Sequence, residues 1–126
     1  MKTNAIRISE YGGPEVLEFR EIDLPELQPG EARIRHTAIG LNFIDTYHRS
    51  GLYPLTLPSG IGLEGAGKVI EIGSNVKIFN IGDDIAYAST PIGAYAEERI
   101  IPEKIAVKIP DGITHKIAAT LMTKGL

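Results

Sequence analysis

Six residues near the middle of the chain have the spacing of a nucleotide-binding motif. Gly60-Ile61-Gly62-Leu63-Glu64-Gly65 fits the pattern G-x-G-x-x-G, and the acidic pair Asp83 and Asp84 follows about 20 residues later, as the motif requires. Pyrophosphate binding by this motif needs a strand before the glycines and a helix after them. Here Leu57-Pro58-Ser59 precedes the motif, and the strand-like residues 68–72 follow it. We therefore expect the glycines to allow close approach of two backbones or positive φ at a sheet corner.

Side chains that ligate metals or act as nucleophiles are few and scattered. The chain has no cysteine, which excludes disulfides, thiol nucleophiles and Cys-based zinc or iron–sulfur sites. His36, His48 and His115 show no ligand-like spacing, so each is expected to be a surface or satisfied core histidine. Glu64 is a single carboxylate without convergent partners, which favours a structural role such as pairing with an arginine. The sequence thus predicts no metal site.

Length and composition are typical of one globular domain. The chain has 126 residues, of which 43% are hydrophobic and 23% are charged. Its net charge is −3 and it has no basic block, so nucleic acid and anionic membranes are not expected as partners. No apolar run approaches the roughly 18 residues of a membrane span, and the first residues do not resemble a signal peptide. We expect a cytoplasmic protein.

Glycine and proline recur along the whole chain and separate short segments with alternating apolar residues. In residues 32–39, for example, Ala32, Ile34 and His36 alternate with arginines, which is typical of a half-buried strand. Since strands here are followed by strands, a doubly wound sheet is disfavoured, and the pattern favours a mainly β or α+β, barrel-like domain. The predicted strands are residues 4–8, 16–22, 32–39, 67–72, 84–88, 93–101 and 104–109.

One short internal helix is predicted over residues 43–50. Asn42 is a good N-cap, Asp45 lies in the first turn, where an acid suits the helix dipole, and Gly51 can end the helix in the left-handed conformation. Phe43, Ile44 and Tyr47 fall on one face at helical spacing.

A second helix is predicted in the tail of the chain. Thr114 can cap it, and Ile117, Ala118, Leu121 and Met122 then fall on one face.

Two longer stretches resemble the medium-chain dehydrogenase/reductase superfamily. They are Asn42-Phe43-Ile44-Asp45-Thr46-Tyr47-His48-Arg49-Ser50-Gly51-Leu52-Tyr53-Pro54 and Gly62-Leu63-Glu64-Gly65-Ala66-Gly67-Lys68-Val69. Within the superfamily, the chain is most similar to the zinc-independent NADPH:quinone oxidoreductases related to zeta-crystallin. Shorter matches follow in the family's order: Tyr11-Gly12-Gly13-Pro14-Glu15-Val16-Leu17, Ile81-Gly82-Asp83, Gly93-Ala94-Tyr95-Ala96-Glu97 and Lys124-Gly125-Leu126.

This resemblance implies a fold and a division of labour. Residues 1–126 would form a GroES-like, partly open β-barrel that is the N-terminal catalytic domain. The Rossmann domain that binds most of NADPH, and the C-terminal return that completes the barrel, would lie outside this chain. The implied reaction is hydride transfer from NADPH to a quinone or enone. The isolated chain is then expected to bind NADPH weakly or not at all and to have little or no activity.

The resemblance also bears on metal chemistry. In the zinc-dependent relatives, a Cys occupies the position of Asn42 and a His the position of Leu63. Neither Asn nor Leu is a usual zinc ligand, so the acceptor oxygen would be stabilised by hydrogen-bond donors alone.

The resemblance implies functional roles for individual residues, and each of these residues also has a simpler structural interpretation. Asn42 is either a helix cap or a contact to nicotinamide or the substrate oxygen, and the two roles can coexist. Tyr47 and Tyr53 are either packing residues with wet hydroxyls or cleft residues, with Tyr53 on the quinone and Tyr47 beside the cofactor. Asn42 and Tyr53 are therefore the catalytic candidates.

The rest of the internal helix is the candidate cofactor-binding segment. Phe43, Ile44 and Thr46 would face the cofactor with Asn42 and Tyr47. Asp45 is either a first-turn charge or a residue that orients its neighbours in the cleft. Lys124 is either a helix-end charge or a neighbour of the nucleotide.

Two other functions remain open. The chain could be a non-enzymatic GroES-like interaction module or split-gene remnant, which would form a homo-oligomer through Ile117, Leu121 and Met122. A zinc alcohol dehydrogenase fragment would instead contain bound metal.

Overall fold

The computed structural model describes the backbone of residues 1–124 and the side chains of residues 1–119. This part of the chain consists of short strands and loops, with one internal and one C-terminal α-helix. The mainly β architecture is therefore confirmed. The elements in chain order are β1 (Lys2–Ile8), β2 (Glu18–Asp23), β3 (Glu31–Gly40), α1 (Phe43–Ser50), β4 (Ser59–Gly60), β5 (Glu64–Ile72), β6 (Asp84–Ala88), β7 (Glu98–Pro102), β8 (Ala106–Lys108) and α2 (His115–Lys124).

The strands form two antiparallel sheets, of three strands in the order β2-β1-β4 and of five strands in the order β7-β3-β5-β6-β8. They meet where Ala5 of β1 forms an isolated bridge with Ala96. Beside it, the N–H of Ile6 donates to the carbonyl of Tyr95 at 2.8 Å. Because the larger sheet ends on β7 and β8 and does not close on itself, the structure is a partly open β-barrel, as predicted.

The main core is formed by the inward side chains of the larger sheet. Ile34, Val69, Ile85 and Ile101 are fully buried there, while Arg35 of β3 points outward. Burial of each aliphatic side chain of this size stabilises the fold by about 1.5–3 kcal/mol. The alternation predicted for β3 is therefore confirmed.

Helix α2 packs across β3, β5 and β6. Ala118 and Ala119 are buried against Ala66 and Ala86, and these small side chains bring helix and sheet close together. The predicted cap is confirmed, because the hydroxyl of Thr114 accepts a hydrogen bond from the N–H of Ile117 at 3.2 Å.

The predicted apolar face of α2 is described only in part. Ile117 is half exposed. The side chains of Leu121, Met122 and Lys124 lie outside the described part, as do Gly125 and Leu126.

Three strands begin later in the structure than predicted, whereas β1, β3 and β5 begin earlier, and β4 was not predicted. Residues 14–16 form a short 3-10 helix that begins at Pro14, so β2 starts only at Glu18. The backbone N–H groups of residues 93–94 donate to the carbonyl of Gly62 and not to a neighbouring strand. As a result, β7 begins only at Glu98. Residues 103–105 form another 3-10 helix, which shortens β8.

The glycine motif lies between two strands and contains no helix start. Gly60 belongs to β4 and Gly65 to β5. Gly62 has a φ of 100°, and a Cβ there would lie 2.5 Å from a ring carbon of Tyr95. The structural interpretation of these glycines is thus confirmed. Asp84 begins β6 and pairs with Lys68 at 2.9 Å, so it is part of a surface ion pair.

A buried hydrogen-bond chain links three strands beneath the larger sheet. His36 Nδ1 lies 2.7 Å from the carbonyl oxygen of Ala96, and its Nε2 lies 2.6 Å from the hydroxyl of Tyr87. Arg99 Nη1 donates to that same hydroxyl at 3.3 Å. Since a carbonyl only accepts, Nδ1 carries the proton and Tyr87 donates to Nε2.

This arrangement requires a neutral His36. Burial, together with the charge of Arg99, lowers the pKa of His36 to about 4, although the hydrogen bond to Ala96 acts in the opposite direction. Burial also raises the pKa of Tyr87. His36 is therefore a satisfied core histidine, as expected.

Candidate functional site

Helix α1 has the bounds that the sequence predicted. It runs from Phe43 to Ser50 after the N-cap position of Asn42. Gly51 has a φ of 87°, and its N–H donates to the carbonyl of His48 at 3.3 Å. The positive φ at Gly51 ends the helix and turns the chain toward Tyr53.

The two sides of α1 are reversed relative to an ordinary surface helix. Phe43 is 85% exposed, and Tyr47 also faces outward. By contrast, Asp45 is only 4% exposed and His48 is buried. A surface helix normally buries its apolar side, so the exposed aromatic residues form a surface that is suited to a ligand or partner.

Asn42 lies at the start of α1 and is anchored to β5. Its Nδ2 donates to Oε1 of Glu64 at 2.9 Å, and Glu64 is 1% exposed. Gly40 leaves room for this carboxylate, because a Cβ at Gly40 would lie 2.4 Å from the same oxygen. Asn42 is therefore one partner of Glu64.

Asp45 holds the inner side of α1. Its Oδ2 accepts a hydrogen bond from the N–H of Asn42 at 3.1 Å and another from the hydroxyl of Tyr95 at 2.5 Å. Burial, together with this contact to Asp45, raises the pKa of Tyr95. The second oxygen, Oδ1, is buried without a hydrogen-bond partner among the described residues. Asp45 thus orients Asn42 in addition to its place in the first turn.

Tyr47 and Tyr53 are brought together by the turn at Gly51. Their ring centroids are 5.4 Å apart in an edge-to-face arrangement, and the N–H of Tyr53 donates to the carbonyl of Tyr47 at 3.2 Å. Tyr53 also contacts the ring of His48. Both tyrosines remain partly exposed, so their rings form an accessible aromatic surface.

The other predicted cofactor-facing residues differ in their surroundings. Ile44 is partly buried. Thr46 donates its hydroxyl hydrogen to the carbonyl of Phe43 at 2.6 Å, within the helix. Asp45 lies on the inner side, so its effect on a ligand would pass through Asn42 or Tyr95.

Three residues at the candidate site were not predicted from the sequence to be functional. Glu64 was assigned a structural role, Tyr95 was considered only as part of a motif, and His48 was expected to be satisfied. His48 instead has a buried Nδ1 without a hydrogen-bond partner among the described residues. Gly62 and Gly65 around Glu64, and Gly93 before Tyr95, were a usable signal, since glycines mark close approach of backbones.

A cavity of about 670 Å³ lies next to this region. Ile6, Phe19, Ala38, Ile39, Leu41 and Tyr95 supply much of its wall. Tyr95 and Leu41 connect it to the start of α1, whereas Asn42, Tyr47 and Tyr53 do not line it. The aromatic surface of α1 and this cavity are therefore neighbouring features.

Metal ligands do not converge in the described residues. No group of three or more His, Cys, Asp or Glu side chains in that part of the chain could hold a metal ion. Glu64, the carboxylate nearest to Asn42 in the hydrogen-bond network, is engaged by an amide nitrogen, which is not a metal ligand.

Residues 28–111 match the model of the alcohol dehydrogenase GroES-like domain. The chain therefore belongs to this family, and the resemblance to the medium-chain dehydrogenase/reductase superfamily is confirmed.

Several similar proteins are named quinone oxidoreductases. The quinone oxidoreductase of Pseudomonas aeruginosa is 55% identical over 96% of this chain and 38% of its own length. Quinone oxidoreductase 1 of Escherichia coli K12 is 45% identical over 96% of this chain and 37% of its own length. This chain thus spans little more than a third of these relatives.

Solved structures agree with the sequence matches. The Pseudomonas syringae pv. tomato quinone oxidoreductase has a TM-score of 0.94 and 48% identity, covering 98% of this chain and 38% of that one. The Escherichia coli quinone oxidoreductase complexed with NADPH has a TM-score of 0.89 and 43% identity, covering 92% and 36%. Separately, neither helix in the described residues has the length and apolar character needed to cross a membrane.

Proposed function

We propose that residues 1–126 form the N-terminal catalytic domain of an NADPH-dependent quinone oxidoreductase, in which they bind the quinone or enone acceptor. The matched quinone oxidoreductases support this assignment, and one of the similar structures contains NADPH. The reaction would transfer hydride to the acceptor without zinc.

The observation that carries the proposal is the reversed polarity of α1. Its outer side offers Phe43 and Tyr47, and Tyr53, which follows the helix end at Gly51, packs against Tyr47. These flat apolar rings suit a flat conjugated ligand. Directly at the helix start, Asn42 is held by two buried carboxylates, so a neutral hydrogen-bond donor borders an aromatic surface. A quinone oxygen that gains negative charge is stabilised by such a donor.

The same surface fits the nicotinamide end of NADPH better than its phosphates. The aromatic rings and the neutral amide suit a nicotinamide ring and its carboxamide. The glycine motif runs from β4 into β5 and lacks a helix N-terminus, so it does not form a pyrophosphate site. When bound, NADPH supplies the hydride.

Each predicted site residue then has a distinct part. Asn42 donates a hydrogen bond to the acceptor oxygen or the nicotinamide, and Tyr53 contacts the acceptor. Phe43, Ile44, Thr46 and Tyr47 form the cofactor-facing side, while Asp45 holds Asn42 from beneath.

A chimera tests this function directly. This chain is joined, in place of the matching segment, to the remainder of the Pseudomonas aeruginosa quinone oxidoreductase, to which it is 55% identical. NADPH oxidation is then followed with tetramethyl-p-benzoquinone, a quinone whose ring carbons are all substituted. We expect quinone-dependent NADPH oxidation by the chimera and little or none by the 126-residue chain alone.

Two controls make the result interpretable. The unaltered relative shows how much activity the segment taken from it supports. A chimera that carries Ile117→Ser is the control for substitution as such, because Ile117 lies in α2 and the change leaves the α1 surface intact. A folded chimera that binds NADPH but does not reduce quinones or enones would contradict the proposed function. A stable homo-oligomer of the chain, with no acceptor binding, would favour the non-enzymatic module. The cytoplasmic location remains a prediction from the sequence.

A further inference from the structure

Glu64 is buried at the point where the predicted active-site segment begins. It is the first residue of β5 and pairs with Gly40 of β3 on one side and with Ala88 of β6 on the other. Its backbone is therefore fixed by two neighbouring strands. The side chain is 1% exposed, and only a glycine at position 40 leaves room for its Oε1. The carboxylate has a defined position independent of any ligand.

The contact between Glu64 and Asn42 determines the orientation of the amide. The hydrogen bond runs from the amide nitrogen of Asn42 to a carboxyl oxygen of Glu64, so the amide directs its nitrogen, and not its oxygen, toward Glu64. At the same residue the backbone N–H is held by Asp45 at 3.1 Å. Asn42 is thus fixed through both its backbone and its side chain.

An amide nitrogen has two hydrogens, and the contact to Glu64 uses one of them. Asn42 is itself only partly buried, so part of the residue is open to a ligand. We propose, on the basis of the proposed function, that Glu64 is a positioning residue that presents this second N–H of Asn42 to the acceptor oxygen. Glu64 itself does not contact the acceptor.

This role has a consequence for rate. A donor that is already oriented does not need to reorganise when charge develops on the acceptor oxygen. Loss of the carboxylate frees the amide to rotate, and misplacement of a positioned group lowers turnover by roughly 10-fold to 100-fold. The effect should fall on kcat, since the interaction is strongest in the transition state.

Kinetics of the chimera provide the first test. We expect Glu64→Ala to lower kcat for quinone reduction by roughly 10-fold to 100-fold with a small change in KM. Glu64→Gln retains an oxygen that can accept from Asn42 and should recover most of the activity. Glu71→Gln is the matched control, because Glu71 lies on the same strand but is exposed. Unchanged kcat in folded Glu64→Ala would overturn the proposal.

The unaltered chain provides a second test that needs no variant. In isotope-labelled protein, NMR should show two distinct side-chain hydrogens for Asn42, one of them protected from solvent exchange, and a rigid amide. Equal, rapid exchange of both hydrogens would overturn the role of Glu64 even if Glu64→Ala does not fold. If the Asn42 amide is rigid but the unaltered chimera reduces no quinone, the proposed function is wrong. The expected effect of Glu64 on kcat is then wrong as well.

Discussion

Two groups of buried polar side chains in this molecule differ in how completely they are paired. Beneath the larger sheet, His36, Tyr87 and Arg99 form one directed chain of hydrogen bonds. Along the inner side of α1, by contrast, Asp45 Oδ1 and His48 Nδ1 are buried without a partner among the described residues. The first group connects β3, β6 and β7, whereas the second lies under exposed aromatic rings.

The difference separates a structural role from a functional one. Buried polar groups that are fully hydrogen-bonded hold strands in register and favour one arrangement of the core. Buried groups that remain unpaired are uncommon in folded proteins, and a use other than folding is one explanation for them. We therefore assign folding to the His36 chain, and the α1 region remains the proposed ligand-binding site.

Asn42→Ser should produce the largest effect, and it should act on activity. Serine is a good N-cap, so α1 is retained, but the amide donor is lost. We expect kcat/KM of the chimera to fall about 100-fold to 1,000-fold, as when a donor to a developing oxyanion is removed. The free energy of unfolding of the chain should fall by about 1–3 kcal/mol, because Glu64 loses the hydrogen bond from Asn42. A large loss of stability with unaltered kcat/KM would reverse the assignment of the two regions.

Low pH should lower stability mainly through the hydrogen-bond chain of His36, Tyr87 and Arg99. The folded-state pKa of His36 is about 4, below the ordinary 6.5, so the unfolded chain binds more protons between these values. The free energy of unfolding should therefore fall as pH decreases from 6.5 to 4, by about 3 kcal/mol in total.

Urea denaturation at several pH values measures this loss, and His36→Asn provides the comparison. The variant should lose the part of the pH dependence that belongs to His36, while the remainder is common to both proteins. Identical pH profiles for the two proteins would show that His36 is not the responsible group.

Tyr87→Phe should lower stability by a smaller amount. It leaves His36 Nε2 and Arg99 Nη1 without their shared partner, which costs about 1–3 kcal/mol. Tyr47→Phe is the matched control, since Tyr47 is partly exposed. Equal denaturation midpoints for Tyr87→Phe and the unaltered chain would contradict the structural role of the chain of hydrogen bonds.

Tyr53→Phe should have the smallest effect on stability. Because the ring is 49% exposed, we expect a change within about 0.5 kcal/mol. In the chimera the same variant should raise KM for the quinone if the hydroxyl contacts the acceptor. A destabilisation similar to that of Tyr87→Phe would place Tyr53 in the folding core.

Much of the fold was predictable because its signals are local. The bounds of α1 follow from Asn42, Asp45 and Gly51, and those of β6 from a short apolar run between turns. The errors at β2, β7 and β8 have a different origin. There the chain turns through 3-10 helices or pairs with Gly62, and such long-range contacts leave little trace in a short window.

The candidate site was predictable in its residues but not in its geometry. The segment from Asn42 to Tyr53 was identified by resemblance, yet periodicity alone gives no indication that α1 turns its apolar side outward. The contacts of Asn42 with Glu64 and of Asp45 with Tyr95 join residues 22 and 50 positions apart. Such pairs are formed by the sheet topology, so they became visible only with the structure.

Acceptor binding to the isolated chain is the most direct test of the central claim, that the outer side of α1 receives the conjugated ligand. Isotope-labelled chain is titrated with tetramethyl-p-benzoquinone and followed by NMR. The account predicts concentration-dependent shifts at Asn42, Tyr47 and Tyr53, with His36 and Tyr87 unchanged. Shifts confined to the cavity beside Leu41, or none at any of the three residues at the highest soluble quinone concentration, would contradict it.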